Sequence, residues 1–261
     1  MYIFGLFLSL FIGLVLGLVG GGGSILTVPL VHYVFGEPML MATSYSLFVV
    51  AMSASFGSVQ RIKNKEVDFE KAIIFVVPSM FTAVSIRLWV MPLIPLDFTL
   101  LGIDLHRSTI ITILLITVML YTAIRTLLNK KPPKTGPVSK STIITFGILT
   151  GLLSGFIGAG GGFIIVPILL GMGLDMKKAV ATSMFIIAIQ SGIAMIGDLF
   201  NPEILEMGIN WPLLLAITGV TILGVILGNI FQKKVSTVWL KKAFSLLLLF
   251  VAVGLIIKMF I

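Results

Sequence analysis

Residues 17–30 read GLVGGGGSILTVPL, and residues 155–168 read GFIGAGGGFIIVPI; the two align without a gap, 138 positions apart. Each interrupts a long apolar run with small residues: Gly20, Gly21, Gly22, Gly23 and Ser24 in the first copy, Gly158, Ala159, Gly160, Gly161 and Gly162 in the second. A glycine inside a helix costs about 1 kcal/mol relative to alanine, so four together favour unwinding. Unwound backbone frees N–H groups, and free amides beside a helix N-terminus bind anions. In a membrane such backbone survives only when buried in protein or lining a wet cavity. A transporter with one broken segment per half holds its substrate where the breaks meet. Close helix packing through small residues is the alternative use of glycine; Gly13, Gly147, Gly224 and Gly228 are assigned to it. A nucleotide loop does not fit, because no strand–loop–helix unit or partner lysine surrounds either copy.

A second repeat follows the first. Ala42-Thr43-Ser44 recurs as Ala181-Thr182-Ser183, one residue further offset. The hydroxyls of Thr43, Ser44, Thr182 and Ser183 can donate to an anion without burying a charge, and are expected near the glycine cluster of their own half. Bonding back to the preceding turn is their other use. Gln190, an amide in the middle of an apolar segment, joins the candidate substrate ligands. Arg87, close to Trp89, reads as a snorkelling residue at the interface. His32 reads as a packed neutral imidazole. No Asp or Glu falls in the middle of an apolar segment, where cation transporters and proton relays place them, so the pattern favours an anion. The sequence contains no cysteine and shows no His/Asp/Glu cluster or nucleophile–base pair. Neither enzymatic chemistry, a metal nor a cofactor is expected.

The elements that hold these residues are membrane helices. The chain is 58% hydrophobic and 11% charged, with a mean hydropathy of +1.17, and several apolar runs reach the roughly 20 residues a crossing needs. A β-barrel is excluded because the runs are continuous and do not alternate. Apolar segments are placed at 3–19, 24–35, 39–59, 72–91, 108–128, 142–158, 163–173, 179–198, 212–231 and 243–260. The pairs 3–19/24–35 and 142–158/163–173 are each one region cut by glycines, and their second pieces are short for a crossing. Val28 and Val166 precede proline, which disfavours helical geometry before it. Extended backbone is therefore expected at Ile25–Val28 and Phe163–Val166, with short helices starting at Pro29 and Pro167.

Charge sets the orientation. The net +8 sits in short loops between apolar segments, which argues for membrane topology and against nucleic acid. Lys and Arg gather on the cytoplasmic side. In the first half Arg61, Lys63, Lys65 and Lys71 crowd one loop; in the second half the corresponding loop, 199–211, carries Glu203 and Glu206 and no Lys or Arg. Lys177, Lys178, Lys233, Lys234, Lys241 and Lys242 occupy the loops on either side of it. Corresponding loops thus fall on opposite faces, which requires each broken pair to enter and leave on one side. The expected fold is an all-α polytopic inner-membrane protein of two inverted repeats, residues 1–128 and 142–261. A cytoplasmic linker, 129–141, joins them. Each repeat has one glycine-broken hairpin and three full helices, and both termini lie outside. The first Lys or Arg is Arg61, so residues 3–19 read as part of the fold and not as a cleaved signal.

G-x-x-G-x-G-G-G, β-branched residues, a proline and then an Ala-Thr-Ser helix start, twice in some 260 membrane residues, resembles the sulfite exporter TauE/SafE family over nearly the whole chain. Residues 155–167 with 181–183 carry the more specific copy; the first has Gly21 in place of Ala159 and Ser24 in place of Gly162. The resemblance implies movement of small sulfur-containing anions, such as sulfite, sulfonates or sulfoacetate. Cysteine-based relays associated with some relatives cannot operate in a chain without cysteine. An anion channel built from the same loops is the competing reading, and a membrane-embedded enzyme a distant third.

Overall fold

The computed structural model describes residues 2–21, 23–100, 103–128, 139–232 and 237–260. Among them the first half comprises α1 (Tyr2–Val19), α2 (Ser24–Val34), α3 (Met39–Lys63), α4 (Phe69–Leu93) and α5 (Arg107–Leu128). The second comprises α6 (Lys140–Ile157), α7 (Gly162–Gly171), α8 (Met176–Asp198), the short α9 (Pro202–Met207), α10 (Trp211–Phe231) and α11 (Thr237–Phe260). Eight of these helices, four in each half, contain an apolar stretch long enough to cross a bilayer. The chain is therefore a multi-pass helical membrane protein. Among the described residues the strands are confined to the loop before α5, a hairpin of β1 (Asp97–Leu100) and β2 (Ile103–His106) with Asp97 opposite His106. The expected linker falls mostly outside the described residues.

Packing repeats on exchange of the halves. α1 packs on α10 as α6 packs on α4; α3 packs on α10 as α8 packs on α4; α3 meets α8, and α5 meets α11. Glycines set the closest of these seams. A carbon placed at the Cβ position of Gly13 would lie 2.1 Å from the Thr221 carbonyl oxygen, and one at Gly151 would lie 2.3 Å from that of Ser79. Along α1 and α10 the contacts advance together, Gly13 with Thr221 and Gly17 with Val225, so these helices run parallel. On α3 and α8 they run in opposite senses. Ser44 bonds to Asp198, Ala51 lies at Gly192 and Gly57 at Met184.

The first broken segment is a helical hairpin. Gly23 lies against Ile12 and Leu16 of α1, while Phe35, just past α2, lies against Gly5 and edge-on to Tyr2 at 5.8 Å. α2 thus runs back along α1. No extended stretch follows the glycines. α2 starts at Ser24 and α7 at Gly162, and Pro29 and Pro167 lie inside them at equivalent positions. The reason is backbone satisfaction. Residues 25–28 are all buried, and in apolar surroundings a helix that loses one N–H at proline is cheaper than extended chain with no partners.

Two backbone-to-hydroxyl bonds tie the halves together. The backbone N–H of Asp68, which caps α4, donates to the Thr182 hydroxyl of α8. The backbone N–H of Asn210, which caps α10, donates to the Tyr45 hydroxyl of α3. The Asp68 carboxyl is itself buried enough to be pushed upwards, but hydrogen bonds from Lys71 and the Lys71 charge outweigh burial and hold it below the usual carboxylate range.

Candidate functional site

The two glycine breaks touch. A carbon at the Cβ position of Gly162 would lie 2.3 Å from the Gly21 Cα, and one at Gly21 would lie 2.5 Å from the Gly162 Cα. The meeting point is near the middle of the α3/α8 pair. Gly160 lies against Val50 of α3 and against Ile187 and Ser191 of α8. Left-handed turns make the second break: Gly158 has φ +74° and Gly161 φ +67°, conformations a side chain strains.

That break leaves polar groups open. The Gly158 amide closes α6 on the Ser154 carbonyl. The next four amides, of Ala159, Gly160, Gly161 and Gly162, donate to no acceptor among the described residues. All four residues are buried. Buried amides are almost always paired, so four in succession form a cradle for a negative oxygen. The Ser154 and Ser191 hydroxyls and Oε1 of Gln190 are also buried without a partner. Ser191 Oγ lies 2.9 Å from the Cβ position of Gly160, so one of these hydroxyls faces the cradle directly. Gln190 Nε2 reaches the Thr150 carbonyl at 3.4 Å.

The first break is more fully bonded. Ser24 donates to the Gly21 carbonyl at 2.7 Å, and the Gly20 carbonyl accepts from the Ser183 hydroxyl at 2.7 Å. Gly22 lies outside the described residues, and Gly23 packs on α1.

The Ala-Thr-Ser helix starts serve the opposite break, not that of their own half. Ser183 and Val180 of α8 embrace Gly20; Thr43 of α3 backs Gly158, whose Cβ position is 2.7 Å from the Thr43 Cα. Antiparallel pairing of α3 with α8 causes this exchange: each helix start lies level with the other repeat's glycines. The Thr43 hydroxyl donates to the Leu40 carbonyl, and Ser44 donates to Asp198 at 2.6 Å.

Beside the second break lies a charge cluster that the sequence did not reveal. Arg87 is 0% exposed, so it does not snorkel. It lies in a π-helical turn, Ile86–Val90, and points into the protein, where Nη1 lies 3.1 Å from Asp198 Oδ2 and 3.1 Å from the Thr43 hydroxyl. Asp198, the last residue of α8, is 1% exposed. At the other end of α3, Arg61 donates to the Gly17 carbonyl, Asn229 and Gln232, bridging α1, α3 and the end of α10. His32 is bonded at Nδ1 to the Glu37 carbonyl, 2.7 Å away.

The model of the sulfite exporter TauE/SafE family matches residues 5–255. The chain belongs to this family. Over 94% of its length and 94% of the relative's it is 28% identical to a protein of Haemophilus influenzae named "Probable membrane transporter protein". It is 28% identical to one of Bacillus subtilis with the same description, over 88% of each chain. A third such relative, from Methanocaldococcus jannaschii, is 28% identical over 70% of this chain and 68% of its own. No solved structure gives a significant match. This TauE/SafE member is therefore a membrane transporter and not an enzyme.

Proposed function

We propose that this protein is a secondary transporter, an exporter of small sulfur-containing oxyanions or organosulfonates such as sulfite or sulfoacetate. The anion is held at the glycine breaks and exposed to each side in turn. The four unpaired, buried amides of residues 159–162 carry this reading. They offer successive backbone donors without a charged side chain among residues 158–162, which suits an oxyanion. The Ser191 and Ser154 hydroxyls add donors from α8 and α6; Gln190 would add one by turning its amide, since Nε2 is engaged with the Thr150 carbonyl and Oε1 is its free atom. Contact between Gly21 and Gly162 favours a carrier over a channel, since a continuous pore would have to part the two breaks permanently.

The reading includes two inverted repeats, 1–128 and 142–261, in an inner membrane, with both termini outside. Antiparallel α3 and α8, parallel α1 and α10, and the clustering of Arg61, Lys63 and Lys65 at one end of α3 support it. A membrane-impermeant thiol reagent applied to intact cells is expected to label a cysteine introduced at Glu37 and to spare one at Lys65; the reverse pattern would contradict the orientation. Reconstituted protein is expected to show saturable uptake of labelled sulfite or sulfoacetate and accelerated counterflow. Flux that never saturates would make it a channel, and no flux across a broad anion panel would end the proposal.

A further inference from the structure

We propose that Arg87 and Asp198 form a proton-coupling centre: a proton on Asp198 releases Arg87 to the substrate anion, so that anion and proton cross together. This rests on the anion-carrier reading above and adds the coupling ion to it.

Half of the Arg87 guanidinium is idle. Nη1 serves Asp198 and Thr43, while Nε and Nη2, on the opposite edge of the fork, have no partner although the residue is fully buried. Buried donors without acceptors are costly, and the Nε/Nη2 edge matches two oxygens of a sulfonate or sulfite. Thr43 stands between Arg87 and the second break, because it accepts from Nη1 and lies against Gly158.

Among the described residues Arg87 is the charged group in contact with Asp198; the next at this end are Arg107, bonded to the Met91 and Ile94 carbonyls, and Glu203 of α9, which pair with each other. α3 presents Thr43 and Ser44 to Asp198, and α4 presents Arg87. The other charged residues of α3 and α4, Arg61, Lys63, Glu70 and Lys71, belong to the far ends of those helices. Of the remaining elements packed on α8, α6 carries only Lys140, at its distant start, and α7 has no charged residue. The closed pair is neutral. A monoanion entering this buried site would leave one uncompensated negative charge, which such surroundings penalise heavily. A proton bound to one Asp198 carboxylate oxygen forms an O–H bond there, ends the ion pair, and leaves Arg87 to balance the anion. On release the carboxyl returns its proton to water and the pair re-forms. The centre supplies one proton per anion whatever the anion's charge.

Methanesulfonate and thiosulfate are suitable probes, since neither carries an exchangeable proton at neutral pH. In proteoliposomes containing the full chain and an entrapped pH dye, one proton is expected to move with each labelled anion. Methanesulfonate flux should ignore an imposed potential, whereas thiosulfate should carry one net negative charge. Asp198→Asn, a fixed mimic of the protonated state, should carry methanesulfonate without protons and become potential-driven. Saturable wild-type flux with no proton movement would overturn the coupling proposal and leave the carrier intact. Proton movement by Asp198→Asn equal to wild type would overturn it as well. If that variant does not purify as a folded protein, the wild-type stoichiometry decides alone. Failure of the wild type to carry either probe, sulfite or sulfoacetate would remove the carrier reading and this proposal together.

Discussion

Replacing Arg87 by methionine is expected to destabilise the protein by about 3–5 kcal/mol, the usual cost of removing one partner of a buried ion pair. Methionine is of comparable length, so lost volume is not the main effect. The damage is the Asp198 carboxylate left at 1% exposure with Ser44 as its remaining side-chain partner. Asp198→Asn leaves the converse fault, a buried guanidinium that cannot shed its proton. The double variant Arg87→Met/Asp198→Asn removes both charges and is expected to recover most of the loss, because neutral replacements of a whole pair are well tolerated. Melting midpoints of the four proteins in detergent give the cycle, and the two changes should be strongly non-additive. Methanesulfonate should protect Asp198→Asn more than wild type, by supplying the missing negative charge. An Arg87→Met protein that melts with the wild type would show that the pair contributes nothing to the fold.

The glycine breaks and their duplication were legible from residue spacing, because only glycine-rich backbone interrupts an apolar run in this way. Loop charges likewise indicated hairpins that return to one side, and α2 does run back along α1. The local path after the glycines differs from the extended backbone that the sequence suggests. Pre-proline geometry is a weak local preference, and in apolar surroundings the demand for backbone partners prevails, so helix starts at Ser24 and Gly162. Arg87 is buried and not at the interface, for a related reason. Nearness to Trp89 in sequence indicates the interface, but residues two apart on a helix face opposite sides: Trp89 is 66% exposed while Arg87 is buried. Asp198 closes an apolar segment, and nothing local marks its partner 111 residues away. Likewise, the assignment of Thr43 and Ser183 to the opposite break depends on antiparallel α3 and α8, which no short motif encodes.

Gly162→Ala is expected to abolish transport, with loss of well over tenfold in saturable flux, while membrane insertion stays near wild type. The φ of Gly162 lies outside the left-handed range, so alanine meets no backbone strain there. It meets the other break instead. The new methyl would lie 2.3 Å from the Gly21 Cα and 2.4 Å from Ile187 Cδ1. Ile187 can rotate, whereas Gly21 is backbone in a buried turn with φ +126° and cannot yield without shifting the whole hairpin. Insertion depends on the eight apolar spans, none of which includes residue 162. Gly219→Ala and Gly254→Ala, where a methyl would meet nothing within 4 Å, are the controls. The decisive measurement is counterflow of labelled sulfite or sulfoacetate through Gly162→Ala protein, purified in folded form and reconstituted beside these controls. The meeting of the two breaks as the transport site predicts controls at wild-type rates and no saturable counterflow through Gly162→Ala. Normal counterflow through that variant would contradict it.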